Sequence, residues 1–544
     1  VKYEELLESF SWEEVKKYYD LDPEGEFNMA HEVCDRWADD PNRIAIYWED
    51  ALGNKETWTF LKLKETSNRM ANALRSLGIQ KGDRVAGLLG KDMELVIIIL
   101  ATWKIGAIYV PLFTAFGPDA IMHRISDSGV NLLVTNREQI SKLEGNDTSF
   151  QVLLTDGLTK DGQLFWEFVN SFSPQFEIES TNGHDPAVIQ FTSGTTGLPK
   201  GAINAHKGIF SLYPYLKFAL HIEGDDIFFG GADLGWSYGL MACTFGPLSL
   251  GVKTVMYKGP FEPEKILQIL EKYEVTNFTY APTAYRMLMA IGKDTIKKYN
   301  IKTRKFSSAG EPLDGEVVRF FKEAFGRAIY DHYGATEIGM IVNNYNITDM
   351  DIKPGSMGLP IPGFKVTLVD SQGVPVEQGT TGQIALDTTD DAFNFLGYWN
   401  NPEKSKEKIF GKWLLSGDLA KQDEDGYFWF QGRADDVISS AGYRIGPTEV
   451  EACLMEHSAV LEAAVVGKPD KEKGEIVKAF VVLNQPYEPS DSLSKELSLF
   501  VKNKLSKHQY PREIEFIDSL PKTQSGKTQR YLLKKQEYEK QVNH

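Results

Sequence analysis

The run Thr192-Ser193-Gly194-Thr195-Thr196-Gly197-Leu198-Pro199-Lys200-Gly201 gathers hydroxyls, glycines and a lysine behind a short strand-like segment, Ala187-Val188-Ile189-Gln190-Phe191. Small residues leave backbone N–H groups bare, and bare N–H groups, hydroxyls and an ammonium together can wrap a polyphosphate. The spacing is not that of a Walker loop, in which glycine directly precedes the lysine. Such clusters are also ordinary loop chemistry, so their company matters. Ser308-Ala309-Gly310-Glu311-Pro312 reads as a strand ending on a glycine turn. Tyr330-Asp331-His332-Tyr333-Gly334-Ala335-Thr336-Glu337 reads as one short loop with an aromatic ring, a hydroxyl and a carboxylate. That set can stack a base, bond a phosphate and hold Mg²⁺. Ser416-Gly417-Asp418 offers a carboxylate to two ribose hydroxyls, and Arg433 and Arg444 offer cations to ribose or phosphate. Lys527 ends Pro521-Lys522-Thr523-Gln524-Ser525-Gly526-Lys527 on a flexible turn. Taken singly, Asp418 reads as a cap or turn former and Arg433 as half of a surface ion pair.

The elements that must position these groups alternate. A helix over 61–77 leads through Gly78 and Gly82 to a strand at 84–89; a helix at 93–103 and a strand at 107–112 follow. Leu132–Thr135 and Val152–Thr155 read as further short strands. This order predicts parallel sheets covered by helices. The apolar stretch from Leu95 to Phe113 is close to membrane length, but Lys104, Gly106 and Pro111 interrupt it, so it reads as a buried helix and then a strand. After about Gly358 the texture becomes short strands divided by glycines. From about Asp435 comes a compact α+β segment with helices at 447–456 and 493–505 and strands at 461–466 and 477–483.

The chain has 544 residues, enough for two or more domains, and its 42% hydrophobic and 25% charged content is that of a globular protein. A net charge of −17 argues against general nucleic-acid binding and against docking on anionic membranes. The three cysteines, Cys34, Cys243 and Cys453, are widely spaced and odd in number, which predicts a reducing, cytoplasmic setting without disulfides. The opening Val1-Lys2-Tyr3-Glu4-Glu5 is acidic and unlike a signal peptide. The start at valine is expected to mean a longer or trimmed chain.

Together, and in this order, the motifs resemble the adenylate-forming superfamily of acyl-CoA synthetases, luciferases and peptide-synthetase adenylation domains. The resemblance spans nearly the whole chain. Tyr280-Ala281-Pro282-Thr283-Ala284-Tyr285-Arg286-Met287-Leu288, Lys353-Pro354-Gly355-Ser356-Met357-Gly358, Asp425-Gly426-Tyr427-Phe428 and Gly442-Tyr443-Arg444-Ile445-Gly446-Pro447 look like the medium-chain acyl-CoA synthetases, with acetyl-CoA synthetases close by. The resemblance implies an α/β adenylate-forming fold. A large N-terminal AMP-binding domain, 1–434, would hold two α/β subdomains and a β-rich subdomain at about 358–434. A small mobile α+β domain, 435–544, would turn about a hinge at Asp435.

It also implies a reaction and its residues. A carboxylic acid attacks ATP to give acyl-AMP and pyrophosphate, and the CoA thiol then displaces AMP. Thr192–Lys200 would take the β- and γ-phosphates. Gly310-Glu311-Pro312 and Asp331–Thr336 would take adenine and the α-phosphate. Glu337 would hold Mg²⁺, Asp418 the ribose, and Arg433 and Arg444 ribose or phosphate. Lys527 would bridge carboxylate and α-phosphate in the first step. Ala441, Gly442 and Tyr443 would replace it in the second, with Lys473, Lys502 and Tyr510 touching CoA. Ala441 departs from the serine usual in the family, and Lys473 from arginine. Met455, His457 and Val460 match a structural cation site of acetyl-CoA synthetases.

For the acid, the acetate enzymes have tryptophan where this chain has Gly334, and valine where it has Ala309. The expectation is a pocket opened at Gly334 and lined by Trp236, Ser237, Tyr238 and Ala309, fit for a short- to medium-chain acid; alternatively, Trp236 fills the gap. Other readings are an acetate or propionate enzyme, an aryl-acid CoA ligase, an amino-acid adenylation domain, a luciferase-type oxidase and a non-catalytic nucleotide sensor. Amino-acid adenylation would want an acidic residue near Gly235–Ser237. Oligomeric state is left open by the sequence.

Overall fold

The computed structural model describes all residues except 193–197, 312, 391, 442, 506, 523–525 and 543–544. The chain divides into two compact units. The first comprises Val1–Thr192, Pro199–Val366 and Leu386–Leu414; the second includes Thr367–Ala385 and Leu415–His544.

The first unit is built on two sheets. A nine-stranded sheet runs through Leu359–Pro360, Gly339–Asn343, Ile329–Ala335, Lys305–Ala309, Asn277–Tyr280, Ile227–Gly230, Lys253–Lys258, Ile44–Asp50 and Lys55–Thr59. A seven-stranded sheet runs through Phe395–Tyr398, Lys200–Ala205, Pro186–Thr192, Ile108–Pro111, Arg84–Leu88, Leu132–Thr135 and Gln151–Leu154. Their interiors are parallel, as the alternation predicts. Antiparallel strands close both edges of the nine-stranded sheet and the Phe395–Tyr398 edge of the seven-stranded one, whose other edge, Gln151–Leu154, stays parallel.

The stretch that approaches membrane length is the helix Met93–Lys104 and the strand Ile108–Pro111. Leu95 through Lys104 are all buried in this helix, among the side chains of one large core. Lys104 is accommodated there by Asp35 at 2.8 Å and Asn68 Oδ1 at 2.7 Å, so its charge is paired rather than stranded. Among the described residues no helix is long and apolar enough to cross a membrane. All three cysteines are free and buried, and burial pushes the Cys243 thiol up to about 12.

A five-stranded sheet passes through Val366–Val369, Gly382–Asp387, Trp413–Gln422 and Ile409–Phe410, with Phe428–Arg433 also on Trp413–Gln422. The last sheet links Tyr443–Ile445, Ile438–Ser440, Gly474–Leu483 and Val460–Asp470, and carries Glu513–Phe516 parallel to Gly474–Leu483. The helices Pro447–Met455 and Asp491–Lys504 cover it through Val450, Leu454, Leu497 and Val501, which form its core.

One buried carboxylate ties strand to helix in the first unit. Glu49 is 1% exposed and accepts from Lys265 at 2.9 Å, Lys272 at 2.8 Å and Tyr273 at 2.7 Å. Burial alone would raise its pKa, but these donors outweigh that and hold it at about 2, below the usual 4.5. A depressed carboxylate stabilises the fold above its ordinary pKa and loses that contribution as pH falls from about 4.5 towards 2. Glu49→Gln is therefore expected to cost about 1–3 kcal/mol at pH 7. It should also flatten the acid limb of stability against pH, as read by denaturant midpoints at pH 7, 4.5 and 3.

Candidate active site

The hydroxyl and glycine run joins two antiparallel strands, Pro186–Thr192 and Lys200–Ala205, with Thr192 opposite Lys200. Its centre, Ser193, Gly194, Thr195, Thr196 and Gly197, lies outside the described residues. Thr192 Oγ1 donates to the Lys200 carbonyl at 3.4 Å. A Walker loop runs from strand into helix and uses the helix N-terminus. Here strand follows strand, so the cation at the exit of the turn is the Lys200 side chain. Its Nζ lies 5.2 Å from the centroid of the Tyr398 ring.

The nine-stranded sheet brings the second group of residues together at neighbouring strand ends. Lys305–Ala309 ends in Gly310 at φ +102°, a turn that glycine tolerates. The Glu311 side chain accepts from Thr283 at 3.0 Å and pairs with Arg286 at 3.6 Å; Pro312 lies outside the described residues. The 330–337 segment is not the loop that its composition suggested. Tyr330 through Ala335 belong to the strand Ile329–Ala335, a tight turn carries Thr336 and Glu337, and Gly339–Asn343 returns antiparallel. Pairing on both sides outweighs the local turn-like composition.

Asp331 is 8% exposed, its Oδ1 has no hydrogen-bond partner, and burial raises its pKa well above the usual range. His332 heads a directed chain. Its Nε2 lies 2.9 Å from the Asn344 carbonyl, which only accepts, so Nε2 carries the proton and Nδ1 accepts from Tyr215 at 2.8 Å. Tyr215 then accepts from Tyr238 at 2.8 Å, and Tyr238 from Thr279 at 2.8 Å. Burial lowers His332 to about 3, so the ring is neutral near pH 7.

Of the expected acid-pocket residues, Trp236 packs on Phe113 at 4.9 Å and Phe116 at 5.8 Å between ring centroids. Ser237 precedes the helical segment Tyr238–Phe245 without a side-chain capping bond, the Tyr238 hydroxyl is spent in the chain above, and Ala309 is buried. Gly334 does not open a space. A Cβ there would lie 2.4 Å from the Gly339 carbonyl oxygen and 2.8 Å from the Met340 Cα. The returning strand stands where a side chain would point, next to the bulge between Tyr333 and Gly334. An acidic residue does stand near Gly235–Ser237: Asp233 Oδ1 accepts from the Gly235 N–H at 2.7 Å and shapes that turn.

Glu337 Oε1 accepts a hydrogen bond from the Tyr398 hydroxyl at 2.7 Å, and Oε2 has no protein partner among the described residues. Tyr398 lies 61 residues further along the chain, and its motif signal, Gly397-Tyr398-Trp399, is weak. Among the described residues no three His, Cys, Asp or Glu converge as a metal cluster. One carboxylate with a spare oxygen fits Mg²⁺, which keeps water and substrate phosphates as its other ligands.

The second unit carries the remaining residues. Asp418 and Arg433 face each other across paired strands, with Arg433 Nη1 donating to Asp418 Oδ1 at 3.2 Å. Asp418 is therefore a strand residue and not a helix cap. Asp435 falls in the short helical turn Ala434–Asp436. Ala441 adopts φ +50° in the turn between Ile438–Ser440 and Tyr443–Ile445, a conformation that costs a non-glycine residue about 1–2 kcal/mol. Its N–H donates to the Lys473 carbonyl at 2.9 Å; Gly442 lies outside the described residues. Tyr443 and Arg444 are placed by their backbone in the strand after the turn. Lys502 and Arg512 stand over the Tyr510 ring at 5.3 and 4.2 Å, so a basic and aromatic cluster forms and includes an arginine that the motifs did not single out. Lys527 is exposed.

Met455, His457 and Val460 do not form a side-chain metal site. His457 accepts from the Ala459 N–H at Nδ1 and pairs with Glu496 through Nε2 at 3.0 Å, which leaves neither nitrogen for an ion. Met455 is 49% exposed.

The AMP-binding enzyme family matches residues 34–399, and the AMP-binding enzyme C-terminal domain matches residues 449–527. The acetyl-coenzyme A synthetase of Bacillus subtilis is 40% identical over 543 residues, covering 98% of this chain and 94% of that protein. Human mitochondrial acyl-coenzyme A synthetase ACSM3 is 36% identical over 547 residues, covering 97% and 92%. The crystal structure of a Brucella canis acyl-CoA synthetase superposes with a TM-score of 0.78 at 41% identity, covering 99% of each chain. The chain belongs to the AMP-binding enzyme family and, within it, to the acyl-CoA synthetases, the AMP-forming acid–CoA ligases of the adenylate-forming superfamily.

The geometry at Gly334 makes a direct prediction. Gly334→Ala should lower the thermal midpoint, with a cost of about 1–3 kcal/mol, because backbone atoms must yield. Gly334→Trp should lose folded protein rather than convert acid preference. Melting curves and soluble yield check both; a stable tryptophan variant with sharpened preference for acetate would contradict the blocked direction.

Proposed function

We propose that the acid is a short- to medium-chain monocarboxylic acid with an uncharged tail. The observation that carries this reading is the chemistry of the expected pocket residues. Trp236, Ser237, Tyr238 and Ala309 include no charged side chain, Trp236 lies against Phe113 and Phe116, and the Tyr238 hydroxyl is committed to Tyr215. Apolar walls favour an alkyl chain by about 0.8 kcal/mol for each buried methylene. Similarity to one protein named for acetate and to another named for acyl groups in general is compatible with this range.

The reaction joins two anions, so positioning and charge neutralisation must do most of the work. In this reading Thr192 through Lys200 bind the β- and γ-phosphates. Gly310-Glu311-Pro312 and Asp331–Thr336 hold adenine and the α-phosphate. Glu337 would ligate Mg²⁺, which when bound screens the phosphate charge. Asp418, with Arg433 and Arg444, orients the ribose. Lys527 neutralises charge between the attacking carboxylate and the α-phosphate. The domains are 1–434 and 435–544 with a hinge at Asp435, so that Lys527 serves adenylation, and Ala441, Gly442 and Tyr443 serve thioester formation. Lys473, Lys502 and Tyr510 bind CoA, with Arg512 beside them. Three free, buried thiols support a cytoplasmic setting.

A pyrophosphate-release screen over straight-chain acids from acetate to octanoate tests the acid. kcat/KM should rise several-fold for each added carbon up to the pocket's length. A maximum at acetate, or a preference for benzoate, would replace this reading by the acetate or aryl-acid alternative. Lys527→Ala should lose acyl-AMP formation by about 100-fold or more and keep thioester formation from supplied acyl-AMP. Equal loss of both half-reactions would contradict its single role.

A further inference from the structure

Tyr398 engages two of the charged groups assigned to the nucleotide, Glu337 and Lys200. Its hydroxyl donates to Glu337 Oε1 at 2.7 Å, and the Lys200 ammonium lies 5.2 Å from its ring centroid. Neither Lys200 nor Glu337 has an ion-pair partner among the described residues. The ring itself is 6% exposed and firmly held. Its strand, Phe395–Tyr398, pairs with Lys200–Ala205 so that Tyr398 lies opposite Ala202. The Tyr398 N–H donates to Ser405 Oγ at 2.8 Å, and the Trp399 N–H to the Gly201 carbonyl at 2.7 Å. Phe395 packs edge-on against the ring at 5.3 Å.

The choice of donor matters chemically. A lysine or arginine on Glu337 would cancel the charge that a cation needs. A phenol fixes one carboxylate oxygen and leaves the negative charge in place, with the second oxygen available. Hydrogen bonds from outer groups that orient a ligating carboxylate sharpen metal affinity in this way. The ring face adds a cation–π seat for the lysine.

We propose that Tyr398 is a positioning residue for the nucleotide and its Mg²⁺, orienting Glu337 through the hydroxyl and seating Lys200 on the ring. The proposal rests on the assignment of Glu337 to Mg²⁺. It separates two functions of one side chain, and two substitutions divide them. Tyr398→Phe keeps the ring and removes the hydroxyl; Tyr398→Leu removes both.

The experiment is calorimetric titration of the CoA-free protein with ATP, once with Mg²⁺ and once with EDTA, alongside the Mg²⁺ dependence of pyrophosphate exchange. Tyr398→Phe should weaken ATP binding in Mg²⁺ by about tenfold, the loss of a hydrogen bond to a charged group. It should raise the half-saturating Mg²⁺ concentration to match and leave binding in EDTA unchanged. Unchanged EDTA binding also shows that the variant is folded. Tyr398→Leu should weaken binding in EDTA as well. In a Glu337→Gln background, Tyr398→Phe should have no further effect. An unaltered Mg²⁺ requirement in Tyr398→Phe, or equal weakening with and without Mg²⁺, would overturn the proposal. If Glu337→Gln itself leaves the Mg²⁺ requirement unchanged, the assignment of Glu337 falls first.

Discussion

The hydrogen bond from the Tyr398 hydroxyl to the Glu337 carboxylate joins the two sheets of the first unit at the site. Glu337 lies in the hairpin turn of the nine-stranded sheet. Tyr398 lies on the edge strand of the seven-stranded sheet, beside the strand that Lys200 begins. The requirement behind this bond is electrostatic. In the proposed assignment, Glu337 offers its charge to Mg²⁺ beside a polyphosphate, with a lysine in reach but not cancelling it. A neutral donor on one oxygen meets that requirement, and only strand pairing brings such a donor from so far along the chain.

The fold assigns order to the rest. Parallel strand interiors supply rigid, buried walls, and chemistry-bearing residues sit where strands end, as open α/β sheets generally arrange their ligands. The chain Thr279–Tyr238–Tyr215–His332–Asn344 crosses strand ends with every proton direction determined by one carbonyl acceptor. A fully satisfied buried network of this kind holds its members in one arrangement. The second unit carries an ion pair at Asp418 and Arg433 and a cation–aromatic cluster at Tyr510.

Much of this was legible in the sequence, for identifiable reasons. The helix Met93–Lys104 and the strands around it follow from local periodicity and from turn residues, which are local signals. The family was legible because its motifs are contiguous runs of residue types that phosphate and ribose chemistry demands. Contacts made by pairing between distant strands were not legible. Tyr398, Tyr215, Thr279, Met340 and Arg512 carry no local mark of their roles. Gly334 shows the limit most clearly: its smallness is plain in the sequence, but the direction of its missing side chain depends on a bulge and on Met340, six residues away across the turn. The partner of the His457 ring was equally hidden, since Glu496 reaches it from another helix.

Ligation is expected to pass through an acyl-adenylate formed before CoA enters. The direct measurement is exchange of labelled pyrophosphate into ATP by the wild-type protein with a fitting acid and Mg²⁺ but no CoA. Acid-dependent exchange should occur under these conditions, with stoichiometric AMP and acyl-CoA appearing only when CoA is added. Exchange that needs CoA, or the appearance of ADP and orthophosphate in place of AMP and pyrophosphate, would contradict this route.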